Sequence, residues 1–600
     1  MSTLRTYVGD KLVAIGDILE KPYQRPSNYP SITEPTASEE KIVILMRVYK
    51  PFGTGDSARN TLHPFFTSST GATFTITGSD GTSQTLNSST VSTVAFSYDN
   101  ATSYAIDINS AVSGTGYYIE DLGDTSQTDW NTLAGTSGVT YVVGDYITAD
   151  VAGSTLSNTT GTVSIYNFRH IVVTATGTNW ITANSAEQPV AKNAAFEEIY
   201  VSLPNYASSG LSLNFIRDGY VQKNVRYVKY LTNLSSVFNA SYFFSDYTSL
   251  VEVNCPSDFM SNAVTMTGFF DSCYNLTKAS LFDTSNARNV NNFFYNCANF
   301  PAPLKYNLYN ARSTSNLYEG CKSLRIAGDL SFPNAISAQN MFSNCVNLQE
   351  IGNLSIPSAN TAYRLFNSCS SLRKIGTITA SHATNWFQSF LNCYTLESID
   401  NITFPNTGTF TFESTYLNCF SLKTAFIPSG GSYSDAGQAF GSTFSLEEIK
   451  PTGVTMDFSN LTSNTGHLFR LFRNSGLYRL PNITFSTNTF TGSTVRMFAG
   501  MTRLQEIPAY DFSALSISLG SNQIFFESGT EPSSQLQRIQ ITGIASTFSV
   551  RYASLSAAAL DELMTNCATV TGKTMDLRNN PGASTCDTTI ATNKGWTVTT

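Results

Sequence analysis

Seven cysteines, Cys273, Cys297, Cys321, Cys345, Cys369, Cys393 and Cys419, follow one another at intervals of 24 residues five times in succession and then of 26. A fixed period of roughly 20 to 50 residues marks one supersecondary unit stacked on copies of itself, each burying its apolar side only against its neighbours. The central part of the chain is therefore expected to be a solenoid.

The unit is defined by what surrounds each cysteine. An aromatic residue stands three places before it: Phe270, Phe294, Tyr318, Phe342, Phe366, Phe390 and Tyr416. Leu or Phe stands three places after: Leu276, Phe300, Leu324, Leu348, Leu372, Leu396 and Leu422. Three further on come Ile351, Ile375 and Ile399, with Ala279, Pro303, Ala327 and Ala425 as weaker members. The frame continues through Phe440, Thr443 and Leu446, a stretched copy at Phe472 and Ser475, and Phe498, Met501 and Leu504. An earlier copy holds Phe244, Tyr247 and Leu250, giving about eleven coils between residues 232 and 545.

Met341, Phe342, Cys345 and Leu348 recur at three- and four-residue steps, which places them on one face of a helical turn. Leu354 and Ile356 then alternate like a short strand, as do Leu330 and Phe332, Ile378 and Ala380, and Ile402 and Phe404. Each coil is expected to be a strand, a turn and a short helix, and eleven coils at about 4.8 Å each span about 50 Å.

The cysteine column admits disulfide, metal, catalytic and packing readings. Parallel stacked side chains hold their Cβ atoms too far apart for good disulfide geometry, and an odd number leaves one over. Zinc needs ligands converging tetrahedrally, whereas these form a line. A catalytic thiol has no use for seven copies. A small buried apolar residue fits best, since Thr443, Ser475 and Met501 occupy the same register. Cys255, Cys567 and Cys586 lie outside the column and are assigned no chemistry.

The segments FFDSCYNLTKASLFDTSNARNVNNFFYNC (269–297) and MFSNCVNLQEIGNLSIPSANTAYRLFNSC (341–369) resemble BspA-like leucine-rich repeats. Such repeats of about 25 residues occur in bacterial lipoproteins and adhesins and in tail-associated proteins of some phages. The resemblance covers about half the chain and implies a leucine-rich-repeat-like α/β solenoid. It constrains the role only loosely, because fold does not fix function.

Charged residues make up only 13% of the 600, with net charge -8, and no basic run is present. Nucleic acid is therefore not an expected partner. Neutral polar and aromatic side chains suit glycan or protein surfaces better. The first 21 residues lack a basic stretch followed by an apolar core, and no run of 18 apolar residues occurs, so neither secretion by a signal nor membrane insertion is expected. The first cysteine is Cys255, so a lipoprotein anchor is not expected. The virion version of the resemblance is favoured over the cell-surface one.

Residues 1–60 read as an N-terminal arm, a virion anchor with Pro22, Pro26, Pro30 and Pro35 in an extended linker. Residues 61–205 are β-rich. With KIVILMRVY (41–49), the runs TFTIT (73–77), STVAFSY (92–98) and HIVVTAT (170–176), and a turn at Ser79, Asp80 and Gly81, predict a β-sandwich. The turn and the YNFRHIVVTATG strand resemble a PKD-type sandwich. Residues 107–163 read as an inserted module, whose segment DWNTLAGTSGVTYVVGDYITAD (129–150) resembles a small β element of virion structural proteins. The solenoid occupies 206–545. A capping unit, 546–600, is expected to start a helix at Ser556 with Leu560, Leu563, Met564 and Cys567 inward, and to end in a strand at Trp596–Val598. Its sequence is similar to the ends of phage tail proteins that carry these repeats.

Catalytic patterns are absent. His63, His170, His382 and His467 are scattered, and neither a G-x-S-x-G elbow nor a phosphate-binding loop occurs. No enzyme activity, cofactor or metal is expected. The triplets at Asn275 and Asn353 read as turn chemistry. The expected function is a non-enzymatic phage tail-fibre or receptor-binding component. It would contact other virion proteins through its N-terminal region and a host glycan or protein through its solenoid, as a homo-oligomer such as a trimer. The alternatives are a structural appendage of tail, baseplate or capsid, a glycan-degrading tailspike with a spatially paired Asp or Glu, and a bacterial surface adhesin. The sequence picks out no receptor-binding residues.

Overall fold

The run Ile42, Val43, Ile44 and Leu45 is buried residue after residue, the mark of a strand covered on both faces. In the computed structural model it lies in the strand Lys41–Val48, at the centre of an eight-stranded sheet. The structure describes residues 225–234, 237–301, 306–459, 468–485, 496–513 and 535–600, and before them the segments named here, within residues 5–204. The chain divides into two compact units, Met1–Asn286 and Ala287–Thr600.

In the first unit, Lys41–Val48 pairs antiparallel with Asn167–Thr176 on one side and Ala195–Ser202 on the other. Thr73–Gly78 and Ser83–Asn87 extend the sheet as an antiparallel pair. Beyond Ala195–Ser202 the pairing turns parallel, through Tyr227–Tyr230 and Glu252–Asn254 to Lys278–Ala279. The N-terminal strands thus cover the open edge that the first parallel rung would otherwise present. This is one mixed sheet; the pairs Phe66–Ser68 with Trp180–Thr182 and Thr61–Leu62 with Val94–Ala95 stand outside it, and a PKD-like sandwich is not shown. The turn at Ser79, Asp80 and Gly81 lies outside the described residues, as do residues 49–60.

The inserted module has a core of its own. Strands Ala105–Asp107, Gly116–Asp121, Tyr146–Thr148 and Thr162–Ser164 form an antiparallel sheet. Trp130, Leu133, Tyr117, Ile119, Ile147 and Val163 are buried together. The segment 129–150, read as resembling a small β element, begins within a helix, Gln127–Leu133, whose N-cap Ser126 accepts the Asp129 N–H at 3.1 Å.

In the second unit, identical positions of successive coils pair in parallel register: Ala327 with Ile351, Ile351 with Ile375, and Ile375 with Ile399. The aromatic column stacks continuously from Phe294 through Tyr318, Phe342, Phe366, Phe390, Tyr416, Phe440 and Phe472 to Phe498, with centroids 5.2 to 6.1 Å apart. Counting the rungs Tyr227–Tyr230 and, at the other end, Phe548–Ser549, Lys573–Asp576 and Trp596–Thr599, the solenoid makes about 14 turns rather than the eleven read from the repeat frame.

Among the described residues of the coils the expected short helix is absent, and the solenoid is mostly sheet rather than α/β. Its place is taken by consecutive three-residue turns. Phe293 N–H donates to Val290 O, Tyr295 to Asn292, Cys297 to Phe294 and Phe300 to Cys297, at 3.0 to 3.3 Å. In this chain of turns the buried residues Val290, Phe293, Phe294, Cys297 and Phe300 recur at three- and four-residue steps, which is why they mimic a helical face. Two residues per coil have positive φ, as at Asn292 (58°) and Asn296 (57°) or Asn340 (53°) and Asn344 (61°). A turn with φ > 0 at its third position favours Gly or Asn, and the residue before the cysteine is Ser272, Asn296, Gly320, Asn344, Ser368, Asn392 or Asn418. The N–H groups left over reach the next coil: Asn292 to Ser315 O, Phe294 to Leu317 O and Asn296 to Glu319 O, at 2.7 to 3.0 Å. The turn side of the solenoid is therefore hydrogen-bonded from coil to coil as fully as the strand side.

At the C-terminus the helix Ala557–Asn566 starts at Ser556, whose Oγ accepts the Ala559 N–H at 3.2 Å, and buries Leu560, Leu563 and Met564. Lys594 Nζ donates to the last carbonyls of this helix, at Met564 (3.3 Å), Thr565 and Cys567 (2.8 Å).

Candidate functional site

The residues read from the repeat frame, Phe270, Cys273, Leu276, Phe294, Cys297, Cys321, Leu324, Phe342, Cys345, Leu348, Ile351, Phe366, Cys369, Leu372, Ile375, Phe390, Cys393, Leu396, Ile399, Cys419 and Leu422, are all buried. All ten cysteines are free thiols. The column does more than fill space. Cys273, Cys321, Cys345, Cys369, Cys393 and Cys419 each donate an S–H to the carbonyl of the aromatic residue one coil earlier, Phe244, Phe294, Tyr318, Phe342, Phe366 and Phe390, at 2.9 to 3.3 Å. From Phe294 onward, each of these carbonyls also takes the N–H of its own coil's cysteine, so both lone pairs are used. Burial pushes the Cys393 thiol up to about 12 and the other column thiols with resolved shifts in the same direction, which keeps the donor proton in place.

With the ladder turned inward, recognition chemistry is left to the outward positions of the turns. In the second unit one group of these breaks the monotony. Glu319 is half-buried, and its carboxyl is pushed up chiefly by desolvation, against hydrogen bonds from Asn340 and Asn344 and the charge of Arg364. Arg364 holds φ 52°, lies over the rings of Tyr363 (5.0 Å) and Phe387 (5.9 Å), and donates from Nε to Gln388 Oε1 at 2.8 Å. Tyr363 and Phe387 stack at 5.2 Å with a 9° tilt. The cluster joins a carboxylate, carboxamides, a guanidinium and two rings across four successive coils. A second file, Tyr394, Phe420 and Phe444, has its rings 5.2 and 5.5 Å apart and is 39, 38 and 55% exposed. No residue of either group was singled out from the sequence. The signal lay in the columns: Tyr363 and Phe387 stand six places before their cysteines, and Tyr394, Phe420 and Phe444 one place after the cysteine or its Thr443 equivalent.

The first unit holds a carboxylate group that sequence reasoning also missed. A register shift between Phe196 and Glu198 makes a bulge, and both Glu197 and Glu198 are fully buried. Part of the N-terminal arm lies against them. Tyr29 Oη donates to Glu197 Oε2 at 3.0 Å, Tyr23 Oη to Glu198 Oε1 at 2.9 Å, and Arg25 Nε to Glu198 Oε2 at 3.0 Å. Lys229 pairs with Glu34 at 2.6 Å. Burial raises the Glu198 carboxyl, and the charge of Arg25 opposes it. These carboxylates hold Tyr23, Arg25 and Tyr29 of the N-terminal arm, read from the sequence as the part that contacts other virion proteins, against the chain's own sheet.

Among the described residues no three His, Cys, Asp or Glu side chains converge as metal ligands, and no helix is long and apolar enough to cross a membrane. His382 is exposed, with Nδ1 2.6 Å from Pro357 O. His63 and His467 lie outside the described residues.

Residues 223–332 and 264–378 match the family described as Mycoplasma protein of unknown function, DUF285. No curated protein matches the chain. Among solved structures, the chain is similar to TLR13 in its complex with ssRNA13 at 16% identity, covering 63% of this chain and 55% of that one, with a TM-score of 0.18. It is similar to a leucine-rich repeat protein from Bacteroides ovatus at 14% identity, covering 55% and 92%, with a TM-score of 0.18. It is also similar to the plant peptide hormone receptor RGFR1 in complex with RGF2 at 14% identity, covering 64% and 68%, with a TM-score of 0.17. The chain spans about half the length of the first of these. TM-scores this low do not show a shared fold. The repeat register and its parallel ladder are what make this a leucine-rich-repeat-like solenoid.

Proposed function

We propose that this chain is a non-enzymatic recognition protein of a phage virion, a tail-fibre or receptor-binding component whose solenoid meets the host surface with its turn face. The observation that carries the reading is the cluster of Glu319, Asn340, Asn344, Arg364, Tyr363, Phe387 and Gln388. It gathers rigid rings and planar polar groups, with a charge that departs from the file of asparagines in which Arg364 stands. Tyr, Asn and Ser give contact area and adaptable hydrogen bonds at little entropic cost, as paratopes do. The buried ladder holds the cluster on a rigid frame, which favours recognition over induced folding.

Purified full chain is expected to bind host cells and compete with phage adsorption. The double variant Arg364→Ala, Phe387→Ala should bind at least about tenfold more weakly, the effect of losing about 1.4 kcal/mol, with its thermal unfolding unchanged. A wild-type chain that neither binds host cells nor competes with adsorption overturns the proposal.

A further inference from the structure

The parallel register of the first unit sets Tyr227, Glu252 and Lys278 in one row across three strands. Asn254, two residues after Glu252, shares its face of the sheet. Glu252 is 4% exposed. Its Oε1 accepts from Lys278 Nζ at 2.9 Å and from Asn254 Nδ2 at 3.0 Å, and its Oε2 accepts the Tyr23 N–H at 2.8 Å. The Asn254 carboxamide is held at both ends: Oδ1 accepts Ser280 Oγ at 3.2 Å, and Nδ2 also donates to Tyr227 Oη at 2.9 Å. Tyr23 stacks on Tyr227 at 5.3 Å, and Tyr227 packs on Tyr200 at 5.7 Å, lining the group with rings.

An amine and a carboxamide nitrogen therefore share one buried carboxylate oxygen, while a hydroxyl polarises the carboxamide oxygen. We propose that Lys278, Asn254 and Glu252 form an intramolecular isopeptide site, in which Lys278 Nζ becomes bonded to Asn254 Cγ. Glu252 takes a proton from the Lys278 ammonium, and the neutral amine adds to Cγ. The oxyanion on Oδ1 is stabilised by the Ser280 hydroxyl. Glu252 then returns its proton to Nδ2, the Cγ–Nδ2 bond breaks, and ammonia leaves carrying the second amine proton. The step needs no oxidant, metal or co-reactant. Glu252 touches both reacting nitrogens and is the catalytic residue.

Two other close polar pairs lack this chemistry. Lys229–Glu34 is given no carboxamide, and the Arg364–Gln388 pair offers a guanidinium, a poor nucleophile, in place of an amine. The bond would tie the consecutive parallel rungs Glu252–Asn254 and Lys278–Ala279, so that a pull along the chain bypasses the coil between them.

Mass spectrometry of the denatured, purified full chain decides the matter. The expected result is a species lighter by one ammonia, about 17 Da, and a proteolytic fragment in which the segments containing Asn254 and Lys278 are linked. Lys278→Arg keeps the charge beside Glu252 and should abolish both signals, and Glu252→Gln should do the same. Wild-type chain at its full sequence mass overturns the proposal. So does an ammonia loss that persists in Lys278→Arg, since that is cyclisation at an asparagine, and a linked fragment formed in Glu252→Gln overturns the role of Glu252.

Discussion

Replacing Cys369 by Thr and by Val separates the two things a column cysteine could be. Cys369 is fully buried, with Sγ 3.0 Å from Phe342 O, which also accepts Cys345 N–H at 3.2 Å. If the site were simply apolar, Val would be the better tenant, because burying a hydroxyl without need costs about 1–3 kcal/mol. If the site wants a donor, the Thr hydroxyl replaces the S–H, while Val leaves the Phe342 carbonyl with one partner at a cost of about 0.5–1.5 kcal/mol. In the same register Thr443 Oγ1 donates to Phe440 O of its own coil at 2.8 Å, not to the preceding coil, so a hydroxyl is hydrogen-bonded at this position by either carbonyl it can reach. The expected order is therefore Thr at least as stable as Val, reversing the usual preference of a buried site. Cys369→Ala, which loses both the donor and the sulfur's packing, should cost about 1.5–3 kcal/mol. Because solenoids unfold by segments, the assay is amide exchange of residues 342–396 in denaturant rather than a single global midpoint. Val more stable than Thr by about 1 kcal/mol or more would refute the donor role and return the column to plain packing.

Three further outcomes follow from the same geometry. Ser442 holds φ 55°, so Ser442→Gly should stabilise its coil by about 1 kcal/mol and Ser442→Val should cost at least as much, both read as shifts in denaturant midpoint. The Cys393 thiol, near 9 when unfolded and pushed up to about 12 by burial when folded, binds its proton more tightly in the folded chain. Stability is therefore held below pH 9 and lost as pH rises from 9 toward 12, by up to about 1.4 kcal/mol per pH unit; Cys393→Thr should unfold along a shallower alkaline slope than wild type in urea titrations at pH 8 to 10.5. Lys594→Met removes a charged donor from Met564, Thr565 and Cys567 carbonyls and should cost about 1–3 kcal/mol, seen as faster amide exchange in the helix Ala557–Asn566.

The solenoid was legible because a 24-residue period with fixed apolar positions has few other solutions, and the ladder residues could be named one by one. The content of the turns was not. Met341, Phe342, Cys345 and Leu348 have the spacing of a helical face, and only the positive φ of Asn340 and Asn344 separates a run of turns from a helix. Asparagine before cysteine in coil after coil was the available signal, since a helix interior gives Asn no advantage. Glu197 and Glu198 were hidden for a different reason. Adjacent residues of a regular strand face opposite ways, and the bulge that buries both leaves no trace in composition. The Lys278, Glu252 and Asn254 group draws on two repeats, so it becomes visible only when their rungs are laid side by side.

Stacking also explains the low charge that first suggested a neutral ligand. In a parallel, in-register ladder every outward position faces its own kind about 5 Å away, and a file of like charges is destabilising. The exposed file Arg325, Gln349, Arg373, Glu397, Lys423 and Glu447 alternates in sign from Arg373 onward, with Arg373 and Glu397 3.4 Å apart. Elsewhere Asn, Ser and Thr, which tolerate their own neighbours, fill the files; Asn316 Nδ2 donates to Asn292 Oδ1 at 2.7 Å in this way. A neutral polar surface is thus what the fold demands, whatever the chain binds. The informative residues are those that depart from their file. Arg364 interrupts the one begun by Asn292, Asn316 and Asn340, and Glu319 stands half-buried within reach of its charge. Stacking alone explains neither, and that places the weight of the recognition proposal on these two residues rather than on the composition of the chain.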